Sequence, residues 1–77
     1  MNYSKEKVDE AVLALLWLTS YSDGPTTRAW KGHDWDAFDR LHQQGLIGNP
    51  RSKAKSVSLS EEGAEKAKQL FQKMFGE

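Results

Sequence analysis

Residues 41–63 constrain the fold of this chain more than any other segment. A helical pattern ends there at Gly45, a residue type suited to the left-handed C′ position that terminates helices. Leu46 and Ile47 begin a short strand, an Asn-Pro pair interrupts it, and residues 54–59 are predicted to return beside it. Ser60 is a good N-cap for a following helix. The segment therefore predicts helix, strand, turn, strand and helix in that order.

The N-terminal part predicts a central helix over residues 5–21, with Ser4 as its N-cap. Five apolar residues follow the spacing of one buried face, and three more widen it: Val8, Ala11, Val12, Leu15 and Leu16, then Leu13, Trp17 and Leu18. A helix with so wide an apolar surface is expected to pack on more than one side. The Ser-Asp-Gly-Pro run at residues 22–25 should end it. Residues 26–30 are predicted to form a short first strand.

A second helix is predicted to begin at Asp34, which is suited to cap it. Trp35, Phe38 and Leu41 recur along one side and form a narrow apolar stripe, with Ala37 beside it. Leu46, directly after Gly45, is placed to contact Leu41 in a Schellman motif. We therefore expect the end of this helix to be fixed by local hydrogen bonds.

The last strand and the last helix complete the predicted core. The strand alternates between two faces: Lys55, Val57 and Leu59 on one, Ser56 and Ser58 on the other. The helix after Ser60 carries one buried stripe: Ala64, Ala67, Leu70, Phe71 and Met74, with Phe75 at its edge. The predicted order is α-(β)-α-β-β-α, one small α+β domain spanning residues 1–77.

Composition limits the class of protein. The chain has 77 residues and no cysteine, so neither a disulfide nor a thiolate metal site is available to stabilise it. The first residues are polar, so no signal peptide is expected. The longest apolar run, residues 11–18, is too short to cross a bilayer. A cytoplasmic protein without a membrane partner is therefore expected.

The charges are balanced overall but unevenly placed. Eleven basic residues match 11 acidic ones, so net charge gives no support for nucleic-acid binding. Residues 48–59 nevertheless contain only basic charges: Arg51, Lys53 and Lys55. The preceding segment, residues 34–47, holds three aspartates against Arg40. A basic turn is thus predicted to lie beside an acidic helix.

The chain resembles winged-helix regulators in Gly45-Leu46-Ile47, in the basic turn 51–55, in Val57-Ser-Leu59 and in Ser60-Glu-Glu-Gly63. The resemblance implies a winged-helix-like fold with a wing at the basic turn, and nucleic acid as a possible ligand. The pattern departs from the family before Gly45, where residues 22–44 must hold a loop, a strand and one helix. The second helix of the helix-turn-helix is therefore expected to be truncated or missing. Aspartates at the recognition position would also repel phosphates.

The chain is also similar to a family of short bacterial proteins of unknown function. Five motifs carry that likeness: Lys7-Val-Asp-Glu10, Arg28-Ala-Trp-Lys31, Asp34-Trp-Asp36, Asp39-Arg-Leu41 and Ser52-Lys-Ala-Lys-Ser56. They span nearly the whole chain. The resemblance implies no particular activity.

The candidate nucleic-acid residues fall into two groups. Arg51, Lys53 and Lys55 are placed to contact phosphates, or else form a solvated hairpin tip whose charges discourage edge pairing. Arg40 and Gln43 are suited to base edges, or else belong to the polar face of the second helix. An ion pair between Asp36 and Arg40, four residues apart on the helix, would occupy that arginine.

The candidate protein-binding residues are Trp30, Trp35 and Lys31. Either both tryptophans fill the core between the first two helices, or one stays partly exposed beside Tyr21 or Phe75 and anchors a partner. Arg28 or Lys31 is expected to stack on such a ring. The function favoured by the sequence is protein interaction or self-association, with nucleic-acid binding through the wing as the alternative.

Catalytic and metal sites find little support in the sequence. A cluster of five residues has the chemistry of metal ligands but no ligand-like spacing: His33, Asp34, Asp36, Asp39 and His42. The serines occupy cap and strand positions, and no glycine-rich phosphate loop is present. We therefore expect neither an enzyme nor a cofactor.

Overall fold

Three helices and a three-stranded antiparallel sheet make up the chain in a computed structural model that describes all of residues 1–77. The elements are α1 (Lys5–Leu18), β1 (Tyr21–Asp23), β2 (Thr26–Trp30), α2 (Trp35–Gln43), β3 (Ser56–Leu59) and α3 (Glu61–Phe75). The strands lie in the order β1-β2-β3. The predicted α+β class and its three helices are confirmed. No helix is both long enough and apolar enough to span a membrane.

The predicted N-caps start all three helices. Ser4, Asp34 and Ser60 each accept a backbone N–H with a side-chain oxygen. The donors are Lys7 at 3.2 Å, Ala37 at 3.1 Å and Gly63 at 2.9 Å. Each bond satisfies an N–H that the first helical turn leaves without a partner. The sequence thus sets where each helix begins.

The predicted Schellman motif ends α2. Gly45 has a φ of +75°, which a residue without a side chain adopts without strain. The N–H of Leu46 donates to the carbonyl of Leu41 at 3.1 Å, and the N–H of Gly45 donates to that of His42 at 3.0 Å. These are the two hydrogen bonds that define the motif.

The first correction concerns the end of α1. The helix stops at Leu18 rather than continuing to residue 21, and Tyr21 opens a strand that the sequence did not predict. β1 pairs with β2 through a tight turn in which Gly24 has a φ of +60°. A positive φ at this position suits the twist of a two-residue hairpin. The segment between α1 and α2 therefore holds a β-hairpin and no residual helix.

The second correction concerns the strand predicted at Leu46 and Ile47. Only Ile47 pairs, through an isolated bridge to Leu59, and β3 begins at Ser56 rather than at residue 54. The observed order is α-β-β-α-β-α. A single helix, α2, lies between β2 and Ile47, as the shortened helix-turn-helix pattern predicted. The assignment to winged helices itself stays a prediction.

Ser56, on the strand face opposite Val57 and Leu59, is also buried. The Nε of Arg28, on β2, donates to its hydroxyl at 2.8 Å, and Nη2 of the same arginine donates to its carbonyl at 3.1 Å. The long side chain of Arg28 therefore covers Ser56 from the neighbouring strand, as arginine stems commonly do.

One apolar core joins all the helices to the sheet. α1 packs against α2, α3 and β2, which confirms it as the central helix. Its buried face is rotated from the predicted one, because Ala14 is buried where Leu15 is only half-buried. The largest fully buried side chains are Phe38, Leu13, Leu16, Leu41, Val57 and Pro50. Met74, predicted to be buried in α3, is exposed.

The start of α3 is held against the end of α2. The N–H of Ser60 donates to the carbonyl of Leu46 at 3.0 Å, and its hydroxyl donates to the carbonyl of Gly45 at 2.8 Å. A Cβ on Gly63 would overlap the backbone carbonyl of Leu46. Glycine at residue 63 thus permits this close approach.

Candidate interaction surface

Trp30 and Trp35 are both on the surface, with 56% and 49% of their area exposed. The interpretation that both fill the core is therefore wrong. Trp30 is the last residue of β2 and points away from the core because its neighbour Ala29 points into it. Trp35 is the first residue of α2, one turn before the buried Phe38. The ends of two adjoining elements thus present the two indole rings.

Aromatic neighbours support each ring on one side. Trp30 lies beside Tyr21 of β1, with ring centroids 6.0 Å apart. Trp35 meets Phe38 edge to face at 6.0 Å. Edge and tilted contacts at these separations are favourable. The rings are therefore held in place although half of each remains accessible.

The cation that stacks on Trp35 is Arg51, rather than Arg28 or Lys31 as expected. Its guanidinium carbon lies 5.2 Å from the ring centroid, within the range of a cation–π interaction. Arg28 is instead engaged with Ser56, and Lys31 with Ser52. The basic turn thus folds back onto the start of α2.

Arg51 also forms a two-point ion pair with Asp39 of α2. Nη2 donates to Oδ2 at 2.7 Å and Nε donates to Oδ1 at 3.3 Å. The hydrogen bond from Arg51 is the main cause of a lowered pKa of Asp39, and the same bond raises the pKa of Arg51. The Asp39 carboxylate, which would repel phosphates, is therefore partly neutralised from within the chain.

Both tryptophans line a shallow, open groove with a volume of about 460 Å³. We call it the tryptophan groove, and its lining residues are Trp30, Lys31, Gly32, Trp35, Ser52, Ala54 and Lys55. Its only charged lining residues are the two lysines. Nζ of Lys31 donates to the carbonyl of Ser52 at 2.9 Å, and the N–H of Lys31 donates to the carbonyl of Lys55 at 3.1 Å. These bonds join the basic turn to the end of β2 and give the groove a fixed wall.

Arg40 lies away from this surface and pairs with Asp9 of α1, not with Asp36 as expected. Its Nη2 and Nε donate to the Asp9 carboxylate, with shortest distances of 2.7 Å. Asp9 is only 5% exposed, whereas the Arg40 side chain retains 25%. The bond to Asp9 is the main cause of a raised pKa of Arg40. Arg40 thus joins α2 to α1 by a charge-assisted, two-point contact.

The Asp9–Arg40 pair lies in the wall of a second cleft, between the three helices, with a volume of about 280 Å³. Its charged lining residues balance one another: Lys5, Arg40 and Lys66 against Glu6, Asp9 and Glu10. The pair satisfies the most buried of these charges. The cleft therefore offers no excess charge that would select a ligand.

The other residues proposed to contact nucleic acid differ in whether an ion pair within the chain already occupies them. Lys53 and Lys55 are exposed and take part in no ion pair. Gln43 is exposed on the last turn of α2. The two arginines proposed with them, Arg40 and Arg51, are both held by carboxylates. Free positive charge on this side of the molecule is therefore concentrated on lysines.

The cluster considered for metal binding is dispersed among other contacts. Asp34 caps α2, and Asp39 pairs with Arg51. His33 meets the ring of Phe38 at 6.2 Å. Nδ1 of His42 lies 3.1 Å from the carbonyl of Ile47. No group of three or more such side chains converges in this structure.

The ion pair of Asp9 was not predicted from the sequence, and Tyr21 was predicted to be helical rather than part of a strand. Asp9 lies three and four residues before Val12 and Leu13, so helical spacing placed a carboxylate on the buried face. That signal calls for a cationic partner, since buried carboxylates are rarely left unpaired. Tyr21 was assigned to the helix, although its contact with Trp30 arises from pairing in the hairpin.

Comparison with known proteins gives two matches and one negative result. Residues 4–77 match a family described as "Domain of unknown function (DUF6429)". The chain is 47% identical over 75 residues to "Uncharacterized protein y4hR" of Sinorhizobium fredii (strain NBRC 101917 / NGR234), covering 97% of each chain. No solved structure matches. The likeness to short bacterial proteins of unknown function is thus confirmed.

Proposed function

The chain belongs to the DUF6429 family, and we propose that it is a single-domain, non-enzymatic protein-interaction module of the cytoplasm. The observation that carries the proposal is that Trp30 and Trp35 are both exposed and line one groove. Tryptophan is enriched among the residues that supply most of the binding energy at protein interfaces. Lys31, between the two rings in sequence, would add a charged contact.

The geometry of the groove supports this role in a second way. Tyr21 and Phe38 support the rings. Arg51 stacks on Trp35 and pairs with Asp39, and Lys31 is hydrogen-bonded to Ser52 of the groove lining. Little side-chain entropy then remains to be lost on binding, and such preorganisation favours affinity. A partner protein and a second copy of the chain are both compatible with a groove of this kind.

Site-specific photo-crosslinking in bacteria that make this protein tests the proposal. A photoreactive phenylalanine analogue would replace Trp30 or Trp35, with Met74 as the control position because it is exposed on α3. We expect protein adducts from the two groove positions and few from Met74. Sedimentation of the purified chain would separate self-association from capture of another protein. A strict monomer whose groove positions form no more adducts than Met74 would overturn the proposal.

Nucleic-acid binding through the basic turn is the second candidate function. The observation in its favour is that Lys53 and Lys55 are exposed and that Lys55 lines the same groove as two accessible indole rings, since bases stack on aromatic side chains. Arg51 would contribute after leaving Asp39, and Gln43 is exposed farther along α2, whereas Arg40 is held by Asp9. Titration with DNA or RNA at low salt should then shift the amide signals of residues 51–56, and added salt should reverse the shift. Unchanged signals at low salt would eliminate this candidate.

A further inference from the structure

We infer that the tryptophan groove binds an acidic peptide segment that carries one apolar side chain. The inference rests on the proposed function, because it names the chemistry of the partner for the same surface.

Charge complementarity selects an anionic partner. Lys31 and Lys55 are the only charged residues in the lining, and no carboxylate lines it. Nζ of Lys31 donates to Ser52 and retains further N–H donors for a ligand. The side chain of Lys55 is exposed and takes part in no ion pair. Carboxylates of a partner would therefore meet the ammonium groups of two lysines that line the same groove.

The apolar part of the groove selects a single bulky side chain. Trp30 and Trp35 supply the large apolar side chains of the lining, while Gly32 and Ala54 add little bulk. The backbone at Gly32 is open, with no atom within 4 Å of the place where a Cβ would stand. An aromatic or large aliphatic side chain entering there would cover both indole faces. Aromatic pairs of this kind add to the gain from burial.

The charges just outside the groove favour a peptide over a nucleic-acid strand. Trp35 stands between Asp34 and Asp36, both exposed, and the cation stacked on its ring, Arg51, is already paired with Asp39. A strand stacked on Trp35 would carry its phosphates past these carboxylates, whereas single-strand binders follow the backbone with a run of cations. A peptide is free to place its acidic residues only beside Lys31 and Lys55. The local pattern therefore suits separate carboxylates better than a continuous polyanion.

Titration of the whole chain with defined probes tests this chemistry. The acidic probe is a short capped peptide with one phenylalanine flanked by glutamates; its twins carry glutamine for glutamate, or alanine for phenylalanine. An oligothymidylate of equal charge is the nucleic-acid probe. The indole N–H signals of Trp30 and Trp35 report binding, and Trp17 serves as the internal control. We expect the acidic probe to shift the first two signals and to bind more tightly than every other probe.

Matched variants locate the charges that recognise the probe. Lys31→Gln combined with Lys55→Gln should lower the affinity for the acidic peptide by about fivefold, which is the scale expected for two exposed ion pairs. Lys68→Gln combined with Lys73→Gln, on exposed positions of α3, should leave binding unchanged. Circular dichroism would confirm that both double variants are folded. Equal weakening by the two pairs would overturn the inference.

The remaining outcomes separate this inference from the proposed function. If the glutamine twin binds as tightly as the acidic peptide, the acidic specificity is wrong while the tryptophan surface stands. Tighter binding of the oligothymidylate overturns the inference in favour of nucleic acid. If no probe shifts Trp30 or Trp35 although crosslinking captures a protein there, the partner has another chemistry. Failure of both experiments overturns the proposed function as well.

Discussion

Gly63 lets the start of α3 lie close to the backbone of Leu46, because glycine carries a hydrogen where alanine carries a methyl group. A Cβ at this position would overlap the carbonyl of Leu46, which is backbone and cannot rotate away. Alanine favours helix over glycine by about 1 kcal/mol, yet overpacking of a tight contact costs about 1–3 kcal/mol. We therefore expect Gly63→Ala to lower the free energy of unfolding by up to about 2 kcal/mol in urea denaturation.

The control for this prediction is Gly32→Ala. Residue 32 lies in open space and lacks a positive φ. The free energy of unfolding should change by less than about 0.5 kcal/mol, as for ordinary surface substitutions. If the two alanine variants were equally stable, the close approach between α3 and Leu46 would not be as described.

Asp39 should titrate below its ordinary pKa because Arg51 donates to its ionised form. The Arg51→Gln variant is expected to raise that pKa toward 3.8, as followed by the carboxyl ¹³C signal in an acid titration. A carboxyl group whose pKa is lower in the folded than in the unfolded chain stabilises the fold at pH values above its unfolded-state pKa. This stabilisation is lost as the pH falls through the folded-state pKa. The stability difference between wild type and variant should therefore shrink below about pH 4.

Single residues that act through local hydrogen bonds were the most predictable part of the molecule. Ser4, Asp34, Ser60 and Gly45 each satisfy backbone groups within a few positions along the chain, so sequence spacing alone specified them. The partner of Arg40 was mispredicted for the opposite reason. Asp9 lies 31 positions away in sequence, and only the packing of α1 on α2 selects it over Asp36.

At the scale of elements, the Asp9–Arg40 pair should couple α1 to α2. Arg40→Met keeps the apolar stem but leaves the carboxylate of Asp9 buried without a partner. Asp9→Leu leaves an arginine that can still reach solvent. We expect Arg40→Met to lower Tm by several degrees and Asp9→Leu by less. The double variant should be more stable than Arg40→Met alone in thermal unfolding monitored by circular dichroism.

The double-mutant cycle also provides its own control. If the two substitutions acted independently, the loss in the double variant would equal the sum of the single losses. Such additivity would show that the two charges do not depend on one another. A matched pair of surface substitutions, Glu65→Gln and Lys73→Gln on α3, should be additive because the two are exposed and eight positions apart in sequence.

Helices were easier to predict than strands. Apolar spacing and capping specified α2 and α3 nearly to their ends, whereas β1 was missed because its three residues, Tyr-Ser-Asp, are all exposed and show no alternation. A strand of this kind exists only through pairing with β2. The candidate interaction surface was hard to predict for the same reason, because it too depends on contacts between separate segments. The sequence named Trp30, Trp35 and Lys31, but the groove they form depends on where the hairpin and the basic turn meet.

At the scale of the whole molecule, aromatic residues divide sharply between core and surface. Phe38 is fully buried, so Phe38→Ala should cost about 3–5 kcal/mol. A domain of this size has only about 4–12 kcal/mol of total stability. Trp30→Ser should cost less than about 1 kcal/mol, since over half of that ring is exposed. Chemical denaturation of the two variants would check the contrast. A large loss for Trp30→Ser would indicate a structural rather than a surface role.

The hydrogen bonds at the base of the basic turn have a consequence for how the protein can vary. The N–H of Ser60 donates to the carbonyl of Leu46, and the N–H of Gly48 donates to the carbonyl of Ser58 at 2.8 Å. The two ends of the segment that contains the basic turn are therefore hydrogen-bonded to each other at its base. Once a loop is closed at its base, each doubling of its length costs only about 0.6 kcal/mol. Insertions between residues 51 and 55 should therefore leave the core intact while reshaping the groove. The bonds that tie Ser52 and Lys55 to Lys31 would have to be remade in such variants, so changes in this segment should alter the groove while the core stays folded.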